Sequence, residues 1–278
     1  MTAVTVAVLI SAFLHASWNA LAHYVPDKVA AVAVMAVGTF ALCLPVLPFV
    51  APPAGPAWPF LVTSAIIHLA YNLLLARSYR LGDFNQMYPL ARGTSPLVVA
   101  MVATLFVGEE LPALHLGGVF VVSAGLAALV LAGGRPTRRE LPALVAATLT
   151  GLTIAGYTVV DGLGVRRAQS TAGYVFWLFT LESAILIGFV SYRYGRKLPA
   201  ALRGHWRVGV CGAALSMGAY GLVLWAQTRG ALAAVAALRE TSVIVGAVIG
   251  SWLFRERFGM ARVIATVLVA TGIVLLNL

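Results

Sequence analysis

The sequence predicts an all-α membrane protein, with ten transmembrane helices arranged as two inverted five-helix repeats around a central cavity. Three observations carry that reading. Of the 278 residues 61% are hydrophobic and 10% charged, with a mean hydropathy of +0.94, whereas a soluble domain carries about 25% charged residues. Apolar runs of about 20 residues, enough to cross the hydrocarbon core as helices, recur from end to end. Finally, the second half of the chain repeats the first.

The runs fall at residues 3–23, 29–50, 58–79, 84–107, 113–132, 142–161, 172–192, 207–227, 231–254 and 259–277. The first reads as a retained helix and not as a signal peptide: nothing basic precedes it, and His15, Trp18 and Asn19 interrupt its apolar stretch. The connections are short, such as "APPAGPAWP" after the second run, "GEELP" after the fourth and "GGRPTRRE" after the fifth. They leave no room for a soluble domain, so function has to reside within the bilayer or at its faces. Cys43 and Cys211 both fall in apolar runs, which gives no disulfide framework and no metal site.

Net charge is +10, but the basic residues gather in short connections and are not interleaved with stacking aromatics, which argues against nucleic acid. Odd-numbered connections hold fourteen Lys and Arg residues and even-numbered ones hold three: Arg166, Arg167 and Arg229. Positive charge is retained on the cytoplasmic side. The odd connections are therefore expected in the cytoplasm and both termini outside.

The repeat is visible at several places. "QMYPLARGTSPLVVA" from Gln86 aligns with "AVAALRETSVIVGA" from Ala234, placing Arg92 over Arg239, Thr94 over Thr241 and Ser95 over Ser242. "AYNLLLARSYRLG" from Ala70 aligns with "AYGLVLWAQTRG" from Ala219, placing Tyr71 over Tyr220. "LFVGEEL" aligns with "WLFRERF", Glu109 over Glu256, and Gly125 aligns with Gly272. Residues 1–134 and 140–278 form the two units, joined by the basic loop 135–139. Five spans is an odd number, so the units enter the membrane oppositely, as in secondary transporters.

Arg92 and Arg239 each lie roughly 12 Å along their helices at 1.5 Å per residue. A charge near the bilayer centre costs on the order of 3 kcal/mol, so each requires water, a partner or an escape to the interface. Three roles remain open. The pair can recognise a carboxylate or phosphonate, which guanidinium forks suit. Each can be neutralised internally, Arg239 for example by Asp161 or Glu182. Each can also snorkel. Glu240 follows Arg239 directly and occupies the place of Gly93 in the first unit. It can bind a substrate amino group, carry a coupling proton or neutralise Arg92; Asp161 and Glu182 are further coupling or ion-pair candidates.

Polar and aromatic residues supply the remaining cavity candidates. His15, Trp18 and Asn19 share a helix face at spacings of three and four. Tyr71 and Asn72 stand beside His68 in the third span. Tyr88, Tyr220 and Trp225 complete the substrate-binding set, and His15 and His68 serve equally well as interhelical hydrogen-bond partners. Pro89 and Pro96 each remove a helical hydrogen bond, so a kinked, partly unwound hinge is expected around Arg92, with Thr94 and Ser95 close enough to help. Gly246 and Gly250 form a GxxxG suited to close packing. Glu109 and Glu256, at span ends, are expected as caps or ion pairs.

Two five-helix units, each closing its fourth helix on a Glu and carrying a late glycine in its fifth, resemble the EamA-like family of the drug/metabolite transporter superfamily, of the bacterial ten-helix type. "LHASWNAL" and "ALRETSV" are similar to bacterial members found near phosphonate-utilisation genes, an association that fixes no substrate. The resemblance covers essentially the whole chain. It implies a basket whose cavity is lined by the first, third, fourth, sixth, eighth and ninth spans, and transport, commonly export, of small metabolites across the inner membrane. It implies no cofactor. Small multidrug members of the superfamily carry a glutamate in the first helix, but here no acid precedes Asp27, so cationic-drug antiport does not carry over at that position.

The expected function is secondary transport of an amino-acid-like, zwitterionic or anionic metabolite, with a possible coupling proton, by a monomer or homodimer. Export of cationic or amphipathic drugs and a non-transporting accessory role are the alternatives. An enzyme is disfavoured, since no HExxH, GxxxxGK or Ser/His/Asp grouping occurs.

Overall fold

The computed structural model describes residues 3–23, 25, 28–81, 84–132, 138, 140–195, 202–245 and 260–276. Its α-helices are α1 (Ala3–His23), α2 (Lys28–Cys43), α3 (Trp58–Leu81), α4 (Phe84–Val102), α5 (Ala113–Ala132), α6 (Leu141–Arg167), α7 (Thr171–Tyr194), α8 (Trp206–Gln227), α9 (Leu232–Arg239) and α10 (Met260–Leu275). Among the described residues 7 helices are long and apolar enough to cross a membrane, and Ala113–Ala128 and Val263–Leu275 are shorter apolar ones. The all-helical, multi-span architecture agrees with the expectation, for the reason that hydrocarbon offers no hydrogen-bond partner to a backbone that does not satisfy itself.

Helix ends are set by local chemistry. The α6–α7 corner turns on Gln169, in a left-handed conformation (φ 61), and on Ser170, whose hydroxyl accepts from the Gly173 N–H at 3.0 Å to cap α7. α4 passes into a π-helical turn, Ala103–Val107, that closes on Gly108 with φ 75, a backbone angle that favours glycine.

Several boundaries differ from those expected. α2, expected to run to residue 50, ends at Cys43 and is followed by a 3-10 turn, Leu47–Phe49. α6 was expected to end at residue 161 but continues to Arg167; it carries Asp161 inside the helix because two tyrosine hydroxyls satisfy that carboxylate. α4 is helical throughout Phe84–Val102, so the unwinding expected at Pro89 and Pro96 does not occur. A helix tolerates the missing donor where neighbouring elements hold it on both sides, as α5 and α6 hold α4. The break lies in the pseudo-equivalent helix instead. α9 stops at Arg239, Glu240 forms a turn, and residues 241–245 resume as helix. The Thr241 hydroxyl donates to the Leu238 carbonyl at 2.8 Å across the break. Gly246, Gly250 and Glu256 lie outside the described residues.

The packing sets α3 against α6 and α1 against α8, α4 against α6, α2 against both α7 and α8, and α5 against α10. α5 and α10 meet through their glycines: a Cβ on Gly125 would stand 2.9 Å from Leu268 Cβ, and one on Gly272 would stand 2.6 Å from Val122 Cγ2. α4 approaches α6 just as closely. A Cβ on Gly151 would meet the Ala91 carbonyl oxygen and Thr94 Cβ, each at 2.7 Å, beside Arg92. Gly151→Ala is therefore expected to force α4 off α6 and to destabilise the protein by about 1–3 kcal/mol, the usual cost of overpacking. Thermal unfolding in detergent checks this, and an unchanged midpoint would count against so tight an approach.

Candidate functional site

A cavity of about 270 Å³ opens among eight helices. α1 supplies His15, Trp18 and Asn19; α3 supplies His68, Tyr71, Asn72 and Leu75; α4 supplies Tyr88 and Arg92. Tyr157 comes from α6, Ser216 and Tyr220 from α8, and Arg239 from α9. To the six spans implied by the resemblance the structure adds α2, with Met35 and Thr39, and α7, with Phe179, Glu182, Ser183 and Leu186. On α1 and α4 these residues sit in the halves next to the odd-numbered connections, on α3 and α7 they run from the middle of the helix toward those connections, and Tyr157 and Tyr220 mark the deeper end. The cavity is thus displaced toward the face of the odd-numbered connections.

Arg92 is not free. Its Nε donates to Glu240 Oε2 at 2.9 Å, and an Nη donates to Ser242 Oγ at 3.1 Å; the two charged side chains are 4% and 3% exposed. The internal-neutralisation reading therefore holds for Arg92. Of the three roles open to Glu240 the geometry matches the neutralisation of Arg92: its carboxylate is turned onto that guanidinium, and Glu240 is not among the residues lining the cavity. Glu240 keeps helical backbone angles (φ −68, ψ −10), so its side chain points about 100° around the helix from that of Arg239, which turns Glu240 onto Arg92 of α4 while Arg239 faces the cavity.

Arg239 differs. It pairs with neither Asp161 nor Glu182, the internal partners considered for it; the ion pairs among the described residues are Arg92–Glu240 and Arg166–Glu109. Its guanidinium carbon lies 5.2 Å from the centre of the Tyr220 ring and 5.9 Å from that of Tyr157, with an Nη 3.4 Å from the Tyr157 hydroxyl. A cation over two aromatic faces is held in place, while among the described residues most of its five N–H donors have no partner, and the residue lines the cavity.

Behind this layer the tyrosines are fixed. His68 stacks on Tyr157 at 4.1 Å between ring centres, and its Nδ1 lies 3.1 Å from Ser64 Oγ. Asp161, fully buried, accepts from the Tyr220 hydroxyl at 2.5 Å and the Tyr174 hydroxyl at 2.9 Å. It supports the cavity wall without entering the cavity, because Tyr220 stands between. His15 accepts from Trp18 Nε1 at 3.3 Å, and the Asn19 and Asn72 amides each donate at 2.8 Å to a carbonyl one turn back, that of His15 and of His68.

At the opposite face the two halves of the chain are latched. Arg166 donates to Glu109 Oε1 and to the Gln227 and Gly230 carbonyls, each at 2.8 Å. The other Glu109 oxygen accepts from the Leu232 N–H at 2.8 Å and caps α9. Glu109 thus takes both expected roles, cap and ion pair.

Of the sequence-derived candidates the cavity gathers His15, Trp18, Asn19, Tyr71, Asn72, Tyr88, Arg92, Tyr220, Arg239 and Glu182. It does not gather Trp225, which packs on the core with the Arg229 guanidinium carbon 4.3 Å from its ring. Five residues past Tyr220 is about 140° around a helix, so the two aromatic rings cannot share a wall. Tyr157, Phe179, Thr39, Ser183 and Ser216 were missed. Each is an unremarkable member of an apolar run, and only the pseudo-equivalence of the two halves could have drawn attention to α6 and α7.

No curated protein matches the sequence. A solved crystal structure of another protein superposes with a TM-score of 0.75, covering 98% of each chain at 18% identity; at that identity the likeness concerns the fold. Residues 141–278 match the model of the EamA-like transporter family. With its second half matching that model and its whole length sharing a known fold, this multi-span membrane protein belongs to the EamA-like transporter family.

Proposed function

We propose that the protein is a secondary transporter that exports a small, amino-acid-like, zwitterionic or anionic metabolite across the bacterial inner membrane by alternating access. The observation that carries this reading is Arg239, a buried cation that has no carboxylate partner among the described residues and lines a polar, aromatic-walled cavity. A buried cation without a counter-ion is costly, and an oxyanion from the substrate offsets that cost.

Several features support the rest. Residues 1–134 and 140–278 act as inverted units, in keeping with the exchange of partners in the packing: α3 on α6 answers α1 on α8. The cavity lies toward the connections rich in Lys and Arg, which favours loading from the cytoplasm with both termini outside. The Arg166–Glu109 latch then closes the far face and has to open for release. α9, broken at Glu240, supplies a joint for that movement, and Pro89 and Pro96 give α4 a weaker one. Glu182 and the substrate are the partners available to a coupling proton.

Purified protein in liposomes tests the reading. Entrapped amino acids or phosphonates are expected to leave down an imposed gradient faster than from empty liposomes. Absence of flux for every anionic and zwitterionic solute would leave the accessory role, and flux confined to organic cations would favour the drug exporter.

A further inference from the structure

Three membrane-embedded acids could meet a substrate, and the geometry separates them. Glu240 is occupied by Arg92. Asp161 is occupied by two tyrosine hydroxyls and screened by Tyr220. Glu182 alone of the three lines the cavity, and among the described residues its carboxylate has no hydrogen-bond or ion-pair partner.

Its position relative to Arg239 follows from the ring contacts. The Arg239 guanidinium rests on Tyr220 at 5.2 Å, and Tyr220 meets Phe179 edge-on with centres 6.1 Å apart. Glu182 lies one turn beyond Phe179 on α7, a rise of about 4.5 Å, toward the face of the odd-numbered connections. Among the described residues the cavity therefore holds a cation without a counter-ion, Arg239, and, one turn beyond Phe179 toward the odd-numbered connections, a carboxylate without one, Glu182. An aromatic pair stands between them, and the two charges do not bridge each other.

We propose that Glu182 and Arg239 are the two poles of one binding site, and that its substrate is an extended zwitterion: a carboxylate or other oxyanion at Arg239, an ammonium at Glu182, and an apolar spacer along Tyr220 and Phe179. This rests on the reading of Arg239 as an anion site. An α-amino acid head group alone, with its charges on one carbon, fills one pole only. A substrate whose charges sit several bonds apart fills both, supplying a counter-charge to the buried Arg239 and to the half-buried Glu182.

Binding of four probes to the purified full-length protein, followed by calorimetry, tests this: 6-aminohexanoate, hexanoate, hexylamine and glycine. The wild-type protein is expected to bind 6-aminohexanoate at least roughly tenfold more tightly than any of the other three, the smaller end of what a charge-assisted contact contributes. Glu182→Gln is expected to reduce 6-aminohexanoate to the affinity of hexanoate while leaving hexanoate unchanged. Equal affinity of the wild-type protein for hexanoate or glycine and for 6-aminohexanoate would overturn the proposal, and needs no variant. So would an advantage of 6-aminohexanoate that survives Glu182→Gln. Hexanoate binding that depends on Arg239 with no gain from the amino group removes the second pole and leaves the transporter reading standing. Hexanoate binding indifferent to Arg239→Gln removes both.

Discussion

Truncating Glu240 to alanine is expected to destabilise the protein by about 3–5 kcal/mol, the cost of stranding one member of a buried ion pair. The Arg92 guanidinium, 4% exposed, would keep the Ser242 hydroxyl as a partner and lose its counter-charge. Glu240→Gln retains the shape, strands the same charge, and is expected to abolish transport while membrane insertion stays normal. The double replacement Arg92→Met with Glu240→Leu is expected to recover most of the stability, since apolar residues of similar volume often substitute for a buried pair without loss. Thermal unfolding of the four proteins reads this directly. An unchanged midpoint in Glu240→Ala would mean that the pair does not hold α4 to the broken α9.

Arg239→Gln is expected to do the opposite: little change in unfolding, and a fall in transport of roughly ten- to a hundredfold, the range that a lost charge-assisted contact to substrate implies. The reason is the difference in partners. Removing Arg239 strands no carboxylate among the described residues, because none of them is paired with it, and the two tyrosines beneath it remain held by His68 and Asp161. Arg239→Lys keeps the charge but loses the planar fork, so an intermediate rate is expected. Flux into liposomes, measured beside unfolding midpoints, separates the two residues. Full transport by Arg239→Gln would remove that side chain from substrate recognition.

The architecture was legible because hydrocarbon makes a simple demand: long apolar runs have to become helices, and the spacing of charge marks where they end. The site was legible in part for a related reason. A charge in the middle of such a run has to be satisfied, which singled out Arg92, Arg239, Glu240, Asp161 and Glu182 before any geometry was known. Sequence could not say who satisfies whom. Arg92 and Arg239 occupy equivalent places in the two halves, yet one is neutralised and the other is not, and the difference is the single acid at Glu240 where the first half has Gly93. Nor could it locate the helix break. The prolines pointed to α4, but α4 is braced by α5 and α6 and stays helical, while α9 ends with no proline at all, where the Thr241 hydroxyl takes up the Leu238 carbonyl. Trp225 was misplaced because a run hydrophobic on all sides gives no facing signal.

The central claim is that solute reaches Arg239 through a water-filled cavity from the side of the odd-numbered connections. Ser216, on the cavity wall, replaced by cysteine in a protein whose buried Cys43 and exposed Cys211 have been changed to alanine, reports on it in oriented liposomes. A membrane-impermeant thiosulfonate applied to that side is expected to label position 216, and hexanoate is expected to slow the labelling in the protein with Arg239 but not in Arg239→Gln. A thiol that stays unlabelled from both sides, or hexanoate protection that persists without Arg239, would contradict the account.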